Sequence, residues 1–161
     1  MIINPRLPTG HVVFCDDIRE EIGGKRTFVG VYGNFMVIAA VGPITLQQLC
    51  AAISLRIHPP IEPTAVSIRI FRSDGDELLF EASAEFPPTP SDLSSDTSSF
   101  GDENSLSFIE LFVPARMQNL VITQDCAIKV RAFIGDDEIR LGSIVVSFVE
   151  PTLGDTVISA D

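Results

Sequence analysis

Apolar and polar residues alternate along short segments of this chain, and turn-forming residues separate the segments. Residues 66–70 alternate in this way, Asp74-Gly75 follows, and residues 78–86 resume the alternation. A period of two residues predicts β-strands, and an Asp-Gly pair between two strands predicts a hairpin turn. With Asp74-Gly75 as the loop, Arg72 faces Glu77 across the hairpin, which adds a pair of opposite charges.

A second hairpin is predicted in the stretch from Cys15 to Gly33, CDDIREEIGGKRTFVGVYG. Its middle pair, Gly23-Gly24, can adopt the positive φ angles of a two-residue turn. With these glycines as the loop, Glu21 faces Arg26 across the strands. We therefore expect this hairpin to organise the N-terminal part of the fold.

The rest of the chain alternates less regularly, and its strands are predicted from apolar runs bounded by glycine and proline. The first strand begins near His11, and Asp16 marks its end, a β-bulge at Asp16-Asp17 or a buried carboxylate. Residues 46–57 combine helical spacing with alternation, which predicts a short helical turn that leads into a strand. Further strands are predicted at 26–32, at 35–41 as a buried run, and at 107–113 before Pro114. A third hairpin is predicted, with strands 126–134 and 139–149 on either side of the turn Gly135-Asp136-Asp137-Glu138.

About eight or nine short strands and almost no helix predict an all-β fold. We predict a two-sheet antiparallel β-sandwich, with a jelly roll or a barrel as the alternative. A chain of 161 residues fits one domain, 1–161. Residues 87–105 are rich in Ser, Asp, Thr and Pro and predict a long polar loop, and residues 152–161 predict a C-terminal tail.

The acidic balance of the chain limits its partners. Eleven basic residues stand against 22 acidic ones, and the net charge of -11 opposes binding to nucleic acid or to an anionic membrane surface. No apolar run approaches the ~18 residues of a membrane span. Cys15, Cys50 and Cys126 lie far apart and form no CxxC pair, so we expect reduced core thiols in a cytoplasmic protein.

The stretch CDDIREEIGGK and the glycine-punctuated FVGVYG that follows it also carry a resemblance. Residues 12–34 resemble the opening of a family of small uncharacterised bacterial proteins, grouped as a domain of unknown function. The resemblance implies a bacterial origin. That family has no assigned activity, so the resemblance implies no catalytic or cofactor-binding residues.

Acidic residues offer one candidate metal site. Clustered carboxylates at one end of a sandwich can hold calcium. Aspartate is also favoured in turns because its side chain bonds nearby backbone amides, and a solvated turn is the simpler interpretation. The candidate ligands are Asp16 and Asp17 on the first strand, and Asp74, Asp76, Asp136 and Asp137 in the hairpin turns.

Catalytic motifs are scarce in this sequence. It contains no GxSxG elbow, and His11 and His58 are its two imidazoles. We expect no cofactor and take a non-enzymatic protein-interaction or structural subunit as the main hypothesis. The alternatives are a calcium-dependent binding module that uses the acidic hairpin loops, and a hydrolase with a cysteine nucleophile.

Association at a sheet edge is the interaction that a sandwich makes available. Edge strands carry unpaired backbone groups, so we expect either a homodimer or the strand of an unidentified protein partner at one edge. The net charge of -11 opposes self-association unless the contact surface is locally apolar or pairs Arg and Lys with Asp and Glu.

Overall fold

The computed structural model describes residues 7–58, 64–86 and 109–151, and this part of the chain contains strands and no helix. The predicted loop 87–105 and the predicted tail 152–161 lie outside the described residues. The strands are β1 Thr9–Cys15, β2 Asp17–Glu20, β3 Arg26–Val29, β4 Phe35–Ala39, β5 Ile44–Ile57, β6 Thr64–Arg72, β7 Glu77–Phe86, β8 Ile109–Ile122, β9 Cys126–Ile134 and β10 Asp137–Val149.

Two facing sheets and one small hairpin sheet make up the fold. The three-stranded sheet has the order β1-β5-β8, and the five-stranded sheet has the order β4-β10-β9-β6-β7. Their inward side chains share one core, in which Leu49 and Ile53 of β5 are buried with Ile70, Val130 and Ile144 of the five-stranded sheet. The prediction of a β-sandwich is therefore confirmed. None of the described segments is a helix of the length and hydropathy that a membrane span requires.

The hairpin of β2 and β3 covers the outer face of the three-stranded sheet. Ile18 of β2 is buried with Cys50 and Ala52 of β5 in a second apolar cluster. β5 is thus a central strand with both faces buried, and it is extended throughout Ile44–Ile57. The helical turn expected within residues 46–57 is wrong, because apolar residues at helical spacing here fill two faces of one strand.

Two predicted hairpins form as their turn residues require. The β6–β7 hairpin pairs Arg72 with Glu77, and Arg72 Nη2 lies 2.6 Å from Glu77 Oε2. β9 and β10 are joined at Gly135-Asp136, so that Ile134 faces Asp137. Asp137 and Glu138, expected in the turn, instead begin β10.

The hairpin of β2 and β3 also forms, but its register differs from the prediction by one residue. Glu20, rather than Glu21, faces Arg26. Gly23 and Gly24 both have positive φ angles, 80° and 74°, and the Glu21 N–H donates to the Lys25 carbonyl at 2.8 Å. The loop therefore holds three residues instead of two, which moves every cross-strand pair by one position.

β8 is longer than its predicted counterpart. It spans Ile109–Ile122 and continues through Pro114, where a break was expected. Among the described strands β8 pairs with β5 alone, and an edge strand tolerates proline where the missing N–H would point away from the ladder. The predicted break at Pro114 is therefore wrong.

β4 departs from its prediction in burial and in direction. Residues 35–41 are expected to form a buried strand, but β4 covers Phe35–Ala39 at one edge of the five-stranded sheet. Phe35 and Val37 are exposed. β4 runs parallel to β10, so one pair in the sandwich breaks the antiparallel arrangement that was predicted.

Candidate functional site

The free edge of β4 presents backbone groups in a fixed order. The Val145 N–H donates to the Asn34 carbonyl at 2.9 Å, so Asn34 directs its carbonyl towards β10. Backbone direction alternates along a strand, so Phe35, Val37 and Ala39 direct their N–H and C=O groups away from β10. Within the described part of the chain β4 pairs with β10 alone. These three residues are therefore available to bond an added strand.

The outer face beside this edge is apolar. Phe35 is 67% exposed, Val37 65%, Val145 36% and Val149 44%. Phe35 is paired with Val145, and Ala39 is paired with Val149, so these side chains share one face of the sheet. We call Phe35, Val37, Val145 and Val149 the β4 surface. Exposed apolar residues that adjoin one another mark interaction sites more often than scattered ones do.

The other outer strands of the described sheets carry features that hinder pairing. β7 has three exposed glutamates, and β8 contains Pro114 and the positive-φ residue Asn119. The free side of β1 is partly occupied, since the Tyr32 N–H donates to the Phe14 carbonyl at 2.9 Å. β4 contains no charged residue and no proline. Charges, prolines and bulges are the usual means by which edges avoid association, and β4 has none of them.

A signal for this site is present in the sequence. Residues 27–55 contain no Asp, Glu, Lys or Arg, although the whole chain is 20% charged. The apolar run at 35–41 predicts a buried strand, because composition alone does not distinguish a strand with one exposed face from a strand buried on both faces. The absence of charge, taken together with the exposed face, is what identifies the site.

A cleft of about 590 Å³ lies beside β4, between β1 and β10. Phe35 and Val145 of the β4 surface help to line it, together with Val12, Tyr32 and Ser143. Tyr32 is the one titratable residue among its described lining residues. Burial, and then the hydrogen bond to Asp16, raise the pKa of Tyr32 to about 12. Its hydroxyl is therefore protonated at neutral pH.

The acidic residues at the end of β1 have structural partners. Asp16 lies between β1 and β2, so the first strand ends there, which is one of the predicted alternatives. The Tyr32 hydroxyl donates to Asp16 Oδ1, and the Gln48 side-chain amide donates to the Asp16 carbonyl at 2.9 Å. Asp17 accepts from Arg19 Nε at 3.3 Å. These contacts fix the corner from which the hairpin starts.

The remaining candidate calcium ligands lie at opposite ends of the five-stranded sheet. Asp74 and Asp76 lie just beyond Arg72, at the end of β6. Asp136 and Asp137 lie just beyond Ile134 of β9, which pairs with Val66 near the start of β6. Six residues of strand separate the two turns, about 20 Å at 3.4 Å per residue. Arg72 Nε lies 2.6 Å from Asp74 Oδ1. The described residues contain no group of three or more His, Cys, Asp and Glu that could hold a metal ion, and these two acidic turns do not lie at one end of the sandwich, as the calcium alternative requires.

All three cysteines are buried and free. Burial raises the pKa of Cys15 to about 11 and also raises the pKa values of Cys50 and Cys126. His11 faces Ser54, four residues along the ladder from the Cys15–Cys50 pair, which is about 13 Å. A catalytic cysteine needs a lowered pKa and a base within hydrogen-bond reach. The pKa values of Cys15 and Cys50 are raised instead, and His11 lies beyond hydrogen-bond reach of this pair.

No protein-family model matches this chain, and no curated protein matches it either. The resemblance of residues 12–34 to a bacterial family stays a prediction.

Proposed function

We propose that this chain is a non-enzymatic protein-interaction subunit whose binding element is the edge strand β4, and that its partner is a second copy of itself. The observation that carries the proposal is an exposed, uncharged edge strand in a chain with a net charge of -11. Strand addition at such an edge gains main-chain hydrogen bonds, and the neighbouring apolar side chains are buried with it.

A second copy fits this edge better than a charged partner does. If two β4 strands pair antiparallel about Val37, Phe35 lies opposite Ala39 of the partner subunit, and Met36 lies opposite Ile38 of the partner subunit. Apolar side chains then meet apolar side chains on each face, and the large Phe35 meets the small Ala39. An acidic or basic partner finds no complementary charge on β4, whereas two uncharged edges meet without local repulsion.

The proposal places the protein in the bacterial cytoplasm. Cys15, Cys50 and Cys126 are all buried and free, and unpaired thiols are typical of reducing compartments. The bacterial origin rests on the resemblance of residues 12–34.

Sedimentation equilibrium of Val37→Lys, with Val121→Lys as its matched control, tests the proposal. Val121 is also exposed on an edge strand, β8, and the same substitution there changes the net charge equally. We expect the wild type to dimerise at micromolar concentration. Val37→Lys should weaken the dimer at least tenfold, about 1.4 kcal/mol, because two lysines then lie opposite each other. Val121→Lys should not weaken it.

Comparing the two lysine variants separates a local block of strand pairing at β4 from the effect of the overall net charge. Both variants make the chain less acidic, so a dimer governed by net charge alone would be strengthened in both. Raising the ionic strength from about 0.01 to 0.15 M shortens the screening length from roughly 30 to 8 Å and should strengthen the wild-type dimer. A single monomeric wild-type species at both salt concentrations and high micromolar protein would refute self-association. A dimer that Val37→Lys leaves intact would remove β4 as its interface.

A further inference from the structure

Cys15 of β1 and Cys50 of β5 are direct partners in the antiparallel ladder. Both are fully buried, and both belong to the apolar cluster beneath the hairpin of β2 and β3. Directly opposed residues in an antiparallel pair extend their side chains on the same face of the sheet. The fold therefore places two thiols side by side, although they lie 35 positions apart in the chain.

The backbone around this pair sets its spacing. The Phe14 carbonyl accepts a hydrogen bond from Tyr32 and so points away from β5. By alternation, Cys15 directs its backbone groups towards Cys50, which makes the two a hydrogen-bonded pair with Cα atoms about 5.5 Å apart. Disulfides span Cα distances of about 4.4–6.8 Å. The Cα spacing of a hydrogen-bonded pair falls within this range.

The hairpin of β2 and β3 controls access to the pair. It packs on the cluster through Ile18, and Arg116 Nη2 donates to the Ile18 carbonyl at 2.8 Å. Cys50 Sγ lies 3.5 Å from the Asp16 carbonyl at the base of the hairpin. β2 and β3 pair only with each other among the described strands, so this hairpin can open without disrupting either large sheet.

The two thiols differ in their surroundings. Burial raises the pKa values of both, so the closed state holds them as unreactive thiols. The positive charge of Arg116 acts in the opposite direction on the pKa of Cys50. Cys50 is therefore the thiol better suited to form the first thiolate when the hairpin opens.

We propose that Cys15 and Cys50 form a redox modification site, which closes to a cross-strand disulfide by exchange with a low-molecular-weight disulfide when the hairpin of β2 and β3 opens. The Cys50 thiolate attacks one sulfur of the small disulfide, forms a mixed disulfide and releases one small thiolate, which takes up the proton that Cys50 lost. The Cys15 thiolate then attacks the Cys50 sulfur and releases the second small thiolate, which takes up the proton that Cys15 lost. Two protein thiols are oxidised by two electrons, and one small disulfide is reduced to two thiols.

Oxidised glutathione is the probe, and the full chain with its Cys126→Ser variant is the test system. We expect the wild type to fall from three free thiols to one, with an intact mass lower by two hydrogens and a peptide map that joins Cys15 to Cys50. Cys126→Ser should fall from two thiols to none. Cys15→Ser should stop at a glutathione adduct on Cys50.

Opening of the hairpin is tested by the rate of oxidation. Urea well below the unfolding midpoint should accelerate disulfide formation at least tenfold, because it favours the opened state. Dithiothreitol should restore all three thiols. A bond that involves Cys126, an adduct on Cys50 that does not resolve in the wild type, or three unchanged thiols in sub-denaturing urea would each overturn the proposal.

Discussion

Gly30→Ala should destabilise this protein strongly, because Gly30 holds the corner where the hairpin returns to β1. Gly30 has a φ angle of 63°, in the left-handed region that residues with a Cβ rarely adopt. A Cβ added there would lie 1.9 Å from Asp16 Oδ2 and 2.6 Å from Asp16 Cγ. The substitution therefore strains the backbone and displaces the Asp16 side chain.

The two effects have separable magnitudes. A left-handed conformation costs a residue with a Cβ about 1–2 kcal/mol. Displacing Asp16 also breaks its hydrogen bond from the Tyr32 hydroxyl, and a hydrogen bond to a charged group contributes about 1.5 kcal/mol at the lower end of its range. We therefore expect Gly30→Ala to lower the free energy of unfolding by about 3 kcal/mol, a large part of the 5–15 kcal/mol typical of a domain.

Urea unfolding measures this cost, and Gly33→Ala is the matched control. A Cβ at Gly33 meets nothing within 4 Å, and Gly33 lacks a positive φ angle, so its substitution should cost little. In an Asp16→Ala background, Gly30→Ala should cost only the backbone part, about 1–2 kcal/mol. The reasoning is refuted if Gly30→Ala and Gly33→Ala unfold alike, or if removing Asp16 leaves the cost of Gly30→Ala unchanged.

Two further predictions concern the same hairpin. Gly24→Val should cost about 1–2 kcal/mol through the positive φ angle of Gly24 alone. Gly75→Val is its control and should cost little, because a Cβ at Gly75 meets no atom within 4 Å and Gly75 lacks a positive φ angle. Equal urea midpoints for the two variants would contradict this prediction. Because the pKa of Tyr32 rises from 10.0 to about 12 on folding, its stabilising contribution is complete below pH 10 and is lost as the pH rises towards 12. The stability difference between wild type and Tyr32→Phe should therefore shrink from pH 9 to pH 11, and a constant difference would disprove the assignment.

Local chemistry explains which parts of the fold could be predicted. The β6–β7 hairpin follows from Asp74-Gly75 and from the alternation on each side, and both lie within a short stretch of chain. The register of the β2–β3 hairpin was missed by one residue because two glycines fit both a two-residue and a three-residue loop. The full length of β8 and the parallel pairing of β4 depend on distant partners, which no local pattern records.

The candidate site was missed for a related reason. β4 and residues 44–55 of β5 lie within the uncharged residues 27–55, and alternation is weak in each. In this part of β5 the lack of charge has an internal cause, since the opposite sheet covers one face and the β2–β3 hairpin covers the other. In β4 no described element covers Phe35 and Val37, yet the strand contains no charged residue either. Burial within a single copy accounts for the composition of this part of β5 alone, and the dimer that we propose would account for that of β4.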